Sequence, residues 1–362
     1  MKILINGLIL SNHNSGLGVY TYKVLENIYK YFDLSQFSYE ILCQDAAFLP
    51  SNVKSHAIVH PCKNFVERNL CWEHYACKKG VDLIWSTTQH GSIFSKAKQI
   101  ITIHDLMPVF YPKGRYHQYL FYKTVLPRLI KKSSAVITVS NNSKADIIDT
   151  YHLKSKDKIK VVYNGIDIQP SFETNNSILR KINEKTFNYY VIIGIHYPYK
   201  NIHSVIDAYY KYPKLQEHKV YIIGNDKVKY AGMLKNKIQK LNLKNSFVFT
   251  GFLSESEKNT LIQNSIASIY PSLYEGFGLP VLESLALGTP VICSNTSSLP
   301  EVGGEAALYF DPMNIDDIAS KIEQITTDKV LRDNLLSHRD EQINKFSWKK
   351  TANNIFSIIR EI

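Results

Sequence analysis

Cysteine is scarce in this 362-residue chain: Cys43, Cys62, Cys71, Cys77 and Cys293 are an odd number and contain no Cys-x-x-Cys pair. A disulfide framework is excluded, and these residues are expected to be reduced thiols, mostly buried. No apolar run approaches the ~18–20 residues that a membrane-spanning helix needs. Met1-Lys2-Ile3-Leu4-Ile5 gives way at once to Asn6-Gly7, unlike a signal peptide, so the expected location is the cytoplasm. Asp-x-Asp, a common carboxylate pair for a divalent ion, occurs nowhere. Internal repeats and low-complexity tracts are also lacking.

What is present suits a globular protein: 44% of residues are hydrophobic and 21% charged. At ~100–200 residues per domain the length favours two mid-sized domains. The 43 basic and 32 acidic side chains leave a formal charge of +11. That excess is uneven, because residues 1–168 hold 21 basic and 12 acidic side chains and the remainder 22 and 20. A basic surface attracts nucleic acid, anionic lipid or phosphorylated small molecules, and charge alone does not choose among them.

Apolar, β-branched runs recur, each followed by turn residues and a helical pattern, as in a chain winding around a parallel sheet. The first series comprises residues 2–6, 82–85, 99–103, 135–139 and 159–163; the second comprises 190–193, 220–223, 247–249, 267–270, 290–293 and 307–310. Between them, residues 164–186 contain Asn164-Gly165, Pro170 and Asn175-Asn176 without a long apolar run, which predicts a connection. The expected organisation is an amino-terminal domain over 1–168, a linker over 169–186, a second domain over 187–347 and a final helix over 348–362 that joins the first domain. The fold class is α/β: two doubly wound, Rossmann-like domains facing across a cleft, with ligand beyond the carboxyl ends of the strands.

The densest chemical signal, Tyr274-Glu275-Gly276-Phe277-Gly278-Leu279-Pro280-Val281-Leu282-Glu283, directly follows a predicted strand. Its glycines allow a tight turn and close approach to ligand, and Pro280 suits a helix start. Amides at such a start bind anions, which suits a diphosphate. Glu275 falls before the helix and Glu283 about one turn inside it. Each carboxylate can grip hydroxyl pairs, Glu283 a ribose and Glu275 a sugar beyond the phosphates, although Glu283 could instead complement the helix dipole.

Residues 271–312, with Glu275-x7-Glu283, Gly288-Thr289-Pro290-Val291 and Leu299-Pro300-Glu301-Val302-Gly303-Gly304, resemble the donor-site region of glycosyltransferase family 4. Gly16-Leu17-Gly18 resembles that family's amino-terminal glycine loop, Thr102-Ile103-His104-Asp105 its histidine motif, Asn164-Gly165-Ile166-Asp167 its domain-closing segment and Pro198-Tyr199-Lys200-Asn201 its phosphate-binding turn. The resemblance implies the GT-B fold and a retaining hexosyltransferase using a GDP- or UDP-sugar, with mannose the first expectation. Glu275, His104 and Lys200 are its implied catalytic residues. Gly16, Gly18, Lys200, Phe277, Gly278, Leu279 and Glu283 are its implied donor contacts, with His104 hydrogen-bonding the donor sugar. Neither metal nor cofactor is expected, since Asp-x-Asp is missing. The chain departs from the family at Tyr199, where a basic residue is usual; His196, the amides at Gly278 and Leu279, or an arginine elsewhere could replace that charge.

Lys113, Arg115, Lys123, Arg128, Lys131 and Lys132 lie within twenty residues that contain no acid, interleaved with Tyr116, Tyr119, Phe121 and Tyr122. Such a basic, aromatic helix suits the anionic inner face of the cell membrane, and a lipid-linked oligosaccharide as acceptor. The resemblance extends this to surface polysaccharides such as O antigen or capsule. Competing readings are a nucleotide-sugar epimerase or hydrolase on the same fold, a non-catalytic sugar-binding protein, and a basic nucleic-acid-binding protein. No nucleic-acid motif is present, so no nucleic acid is expected as partner.

Overall fold

A computed structural model describes residues 1–10, 16–31, 37–167, 178 and 188–362. The expected linker therefore lies, apart from Ile178, outside the described residues. The chain divides into two compact units, one of Met1–Gly165 with Phe346–Ile362 and one of Ile166–Lys345.

The first unit is built on a sheet of seven parallel strands: β1 (Lys2–Asn6), β2 (Ser38–Cys43), β3 (Ala57–Val59), β4 (Leu83–Ser86), β5 (Lys98–Ile103), β6 (Ala135–Thr138) and β7 (Ile159–Val161), in the order β3-β2-β1-β4-β5-β6-β7. The second has six: β8 (Tyr189–Ile193), β9 (Lys219–Ile223), β10 (Phe247–Gly251), β11 (Ala267–Tyr270), β12 (Val291–Ser294) and β13 (Ala307–Phe310), in the order β10-β9-β8-β11-β12-β13. Every pairing is parallel. Chain order therefore reverses between β1 and β4 in one sheet and between β8 and β11 in the other, and crevices at such switch points hold ligands.

Parallel strands are apolar on both faces because helices cover both. In β8, Tyr190 and Ile192 pack with Val205, Ile206 and Ile322, whereas Tyr189 and Val191 pack with Leu261 and Ile262. All six strands expected in the second series form. In the first, β2 and β3 were not anticipated: β2 opens with the half-polar Ser38-Tyr39-Glu40 and only Ile41, Leu42 and Cys43 are buried, while β3 is a three-residue edge strand. The single helix expected across 113–132 is two, Tyr116–Thr124 and Leu126–Lys132. Pro127 explains the break, since its ring excludes a continuous helical ladder through the preceding turn. Four of the cysteines are at least partly buried, Cys77 is exposed, and all five are free.

The carboxyl-terminal helix, Trp348–Glu361, packs on the helix Gly16–Tyr31. Thr351 Oγ1 donates to Tyr163 O at 2.6 Å, and the Tyr163 and Phe346 rings meet edge to face at 5.4 Å. Gly165 permits this contact, because a Cβ there would stand 2.0 Å from Trp348 N and 2.4 Å from Ser347 C. Both obstacles are backbone, so Gly165→Ala should cost about 3 kcal/mol or more, at or above the upper end for an overpacked core. A fall in the urea midpoint at constant slope is the expected result; an unchanged midpoint would contradict this account of the helix tie.

Candidate active site

The two loops that leave β8 and β11, adjacent strands at the switch point, together with the helix Leu279–Ala286 that follows the second, carry five of the seven expected donor contacts. After β8 the chain turns at Gly194, with φ +89°, and passes through a short 3-10 turn, Pro198–Lys200, into the helix Ile202–Lys211. Asn201 joins turn to helix in the left-handed conformation, φ +55°. It is buried and braced: its Nδ2 donates to Pro312 O at 2.8 Å and its Oδ1 accepts from Ser204 Oγ at 2.7 Å. Leu273 N donates to Tyr199 O at 2.8 Å, fastening this loop to the one that follows β11.

The result is a close pair. Lys200 Nζ lies 2.6 Å from Glu275 Oε1 and donates to Tyr270 Oη at 2.8 Å, with side chains only 14% and 11% exposed for lysine and glutamate. Tyr270, the last residue of β11, was not singled out in the sequence. Its ring lies 4.9 Å beneath the ammonium. Burial first, then Glu275 and Glu283, push its phenol well above the ordinary range, so it stays protonated. Glu275 is fixed through its own backbone. Ser297 Oγ accepts from Glu275 N at 3.1 Å, and Ser298 Oγ donates to Glu275 O at 2.9 Å and to Phe277 O at 2.7 Å. These serines, in the loop after β12, carried no sequence signal.

Gly278 stands at the amino end of the helix Leu279–Ala286 with φ +116°, and a Cβ there would meet Leu299 Cδ2 at 3.0 Å. Glycine is needed on both counts. Pro280 is the second helical residue and lacks an N–H where none would be paired. Phe277 is buried, and its carbonyl accepts from Ser298 Oγ. Glu283 projects from this helix and pairs with Lys258 Nζ at 2.9 Å. Lys258 was also not singled out in the sequence; it sits on the helix Glu255–Gln263, which opens with a capping box between Ser254 and Glu257.

Tyr199 occupies the position of the missing cation. It is 8% exposed and stacks on Tyr197 at 5.8 Å. His196 does not restore the charge: burial first, then Lys200, push its imidazole below its ordinary value, leaving it neutral at neutral pH. Arg332 bonds Ile325 O and Thr326 O, and Arg339 pairs with Asp340. Among the described residues of this unit, both arginines are thus engaged with other partners.

The remaining candidates lie in the first unit. His104 directly follows β5 and Nε2 donates to Thr87 O at 3.0 Å. Burial, opposed by that carbonyl, lowers its pKa to about 4. The ring is therefore neutral at neutral pH, with Nδ1 left as an acceptor. Tyr20 meets it edge on, with centroids 4.5 Å apart. Gly16 and Gly18 lie in the first turn of the helix Gly16–Tyr31 rather than in a loop, and Tyr20, Val24, Leu25 and Ile28 form its buried face. Residues 11–15, which precede this helix, are outside the described residues.

Family models for glycosyl transferases group 1 and for glycosyltransferase family 4 match residues 175–342 and 71–170. The O-antigen chain mannosyltransferase RfbU of Salmonella typhimurium is 34% identical over 239 residues, covering 66% of this chain and 64% of RfbU. O-antigen chain mannosyltransferase B of Escherichia coli is 27% identical over 315 residues, covering 83% and 77% respectively. Among solved structures, Anabaena Alr3699/HepE in complex with UDP and glucose superposes with a TM-score of 0.79 at 19% identity over all of both chains. WaaG, a glycosyltransferase involved in lipopolysaccharide biosynthesis, gives 0.75 at 14% identity over 99% of both. With two parallel-sheet units of this topology, paired carboxylates at a switch point and both family models matched in sequence, the chain belongs to glycosyltransferase family 4 and has the GT-B fold.

Proposed function

We propose that the chain is a retaining mannosyltransferase that takes its sugar from a nucleotide diphosphate, with GDP-mannose the first donor to test, and extends a lipid-linked O-antigen or related glycan. The observation that carries this reading is the Lys200–Glu275–Tyr270 cluster at the β8/β11 switch point, with Glu283 on the adjoining helix. The mannosyltransferase names of RfbU and its Escherichia coli relative favour the sugar.

In this reading the donor diphosphate lies at the start of the helix Leu279–Ala286, where amides and the dipole favour anions. Lys200 supplies the cation that follows charge onto the departing phosphate, a major term in such transfers. As Lys200 turns to the phosphate, Glu275 is released to accept from hydroxyls of the sugar. Glu283, oriented by Lys258, grips the ribose. His104 accepts a sugar hydroxyl through Nδ1; with so low a pKa it is not a general acid near neutrality. Attack on the face of the departing diphosphate, which takes the acceptor proton, gives retention without metal and without the flanking acid and nucleophile of most glycosidases.

An exposed face of the first unit favours a membrane-borne acceptor. Phe65, Val66, Leu70, Phe94, Tyr116 and Leu120 are each more than half exposed. Their segments adjoin: His90 lies against Phe65 at 5.8 Å and Phe121 at 5.3 Å, and Glu73 accepts from Ile93 N at 2.7 Å. The acid-free basic stretch runs beside them. Among its cations, Lys132 donates to Ile93 O at 2.5 Å and Ser95 O at 2.6 Å, and Arg115 is half-buried near Tyr122. Apolar groups ringed by cations suit an anionic bilayer surface.

Glu275→Gln is the informative catalytic variant, because alanine would strand a largely buried lysine, a loss of about 3–5 kcal/mol. Glu275→Gln should abolish mannosyl transfer while nucleotide binding is kept, and should lower the melting temperature less than Glu275→Ala, because the amide oxygen still accepts from Lys200 although it carries no charge; normal turnover would refute the role. Glu283→Ala should weaken GDP binding in calorimetry by about 1.5–3 kcal/mol, as for a hydrogen bond to a charged group. Lys258→Ala should weaken it less, with kcat unchanged, and equal affinity in both variants would remove the ribose assignment. Vesicles containing anionic lipid should sediment the protein, neutral vesicles should not, and the doubly substituted Lys123→Glu/Arg128→Glu should lose that binding; undiminished sedimentation would exclude this face.

A further inference from the structure

Away from the donor site, one cluster among the described residues has the chemistry of a metal site. His60, Cys62 and Cys71 offer ligand atoms that all lie within 4.8 Å of one another. Two come from the connection that leaves the edge strand β3, and the third from the helix Phe65–Ala76.

That connection is held at both ends. His60 N donates to Cys43 O at 2.8 Å, continuing the ladder beyond β3. Lys63 N donates to Glu67 Oε2 at 2.7 Å, and Asn64 caps the helix by accepting from Glu67 N at 2.9 Å. Cys71 belongs to a buried cluster with Leu4, Leu42 and Trp72, and Cys62 packs against that cluster. The His60 ring meets Tyr75, one helical turn beyond Cys71, edge on at 5.8 Å. Backbone bonds hold the chain that carries His60 and Cys62, and core packing holds Cys71, while the His60 side chain is exposed.

A tetrahedral ion with Zn–S of about 2.3 Å and Zn–N of about 2.0–2.1 Å needs ligand atoms roughly 3.5–3.8 Å apart. Closing the cluster therefore takes movements on the order of 1 Å. Two sulfurs and an imidazole suit Zn2+ and not the oxygen-seeking Mg2+ or Ca2+. We propose that His60, Cys62 and Cys71 form a Zn2+ site that fastens the end of β3 to the helix Phe65–Ala76, with water in the fourth position beside the exposed His60. Binding exchanges the two thiol protons for the metal and moves no electrons. The site is independent of the transfer reaction, so failure of either reading leaves the other standing.

The test uses the full chain without a histidine tag, reduced and stripped by a chelator, then given Zn2+ alone. About one equivalent should survive gel filtration, and Zn2+ should slow alkylation of Cys62 and Cys71 by about tenfold or more. Cys62→Ser and His60→Ala should each weaken Zn2+ binding by about tenfold or more, as even outer-sphere changes do at such sites. Both variants should keep nucleotide binding, which reports that the chain is folded. Zn2+ retention no higher than in Cys62→Ser/Cys71→Ala, or a Cys62–Cys71 disulfide in protein isolated from a reducing cytoplasm, would overturn the proposal.

Discussion

A largely buried cation and a largely buried anion meet at the centre of the second unit's candidate site. Lys200 and Glu275 are 75 residues apart in sequence and 2.6 Å apart in space. Removing either from water is costly, and each is tolerable there because the other is present. The surrounding structure consists of devices that hold the pair: a buried Asn201 in a left-handed turn, a backbone bond from Leu273 to Tyr199, and two serines that secure the Glu275 backbone. A doubly wound sheet supplies the location, since β8 and β11 are neighbours whose following loops leave in opposite directions.

Tyr199 stands beside this pair, at the position where the family usually has a second cation. Lys200 lies over the Tyr270 ring, and Tyr199 and Tyr197 stack beside it, so one ammonium is held in an aromatic and carboxylate frame. A neutral His196 avoids repulsion within that frame. The turn that carries this lysine is braced on both sides, by Asn201 to Pro312 and by Leu273 to Tyr199.

In the first unit the chemistry is quieter. His104 is held in one tautomer by a carbonyl and in one orientation by Tyr20, whose helix also receives the carboxyl-terminal helix. Packing of the chain's last residues thus bears on the histidine through a single aromatic neighbour, since Trp348 stands 6.3 Å from the Tyr20 ring.

The sequence by itself determined what depends on local pattern. Eleven strands were legible because buried parallel strands are short, β-branched and bounded by turns, and Glu275 and Glu283 were legible because a glycine turn and Pro280 bracket a helix start. It did not determine β2 or β3, where burial is one-ended or brief, nor the break at Val125, where the acid-free run of charge concealed the consequence of Pro127. Tertiary structure alone decided that Lys200 meets Glu275, that Lys258 meets Glu283, and that Tyr270, Ser297 and Ser298 belong to the site. Those contacts join residues from different strand ends, and no local periodicity encodes a distance that exists only after the strands have been ordered in a sheet.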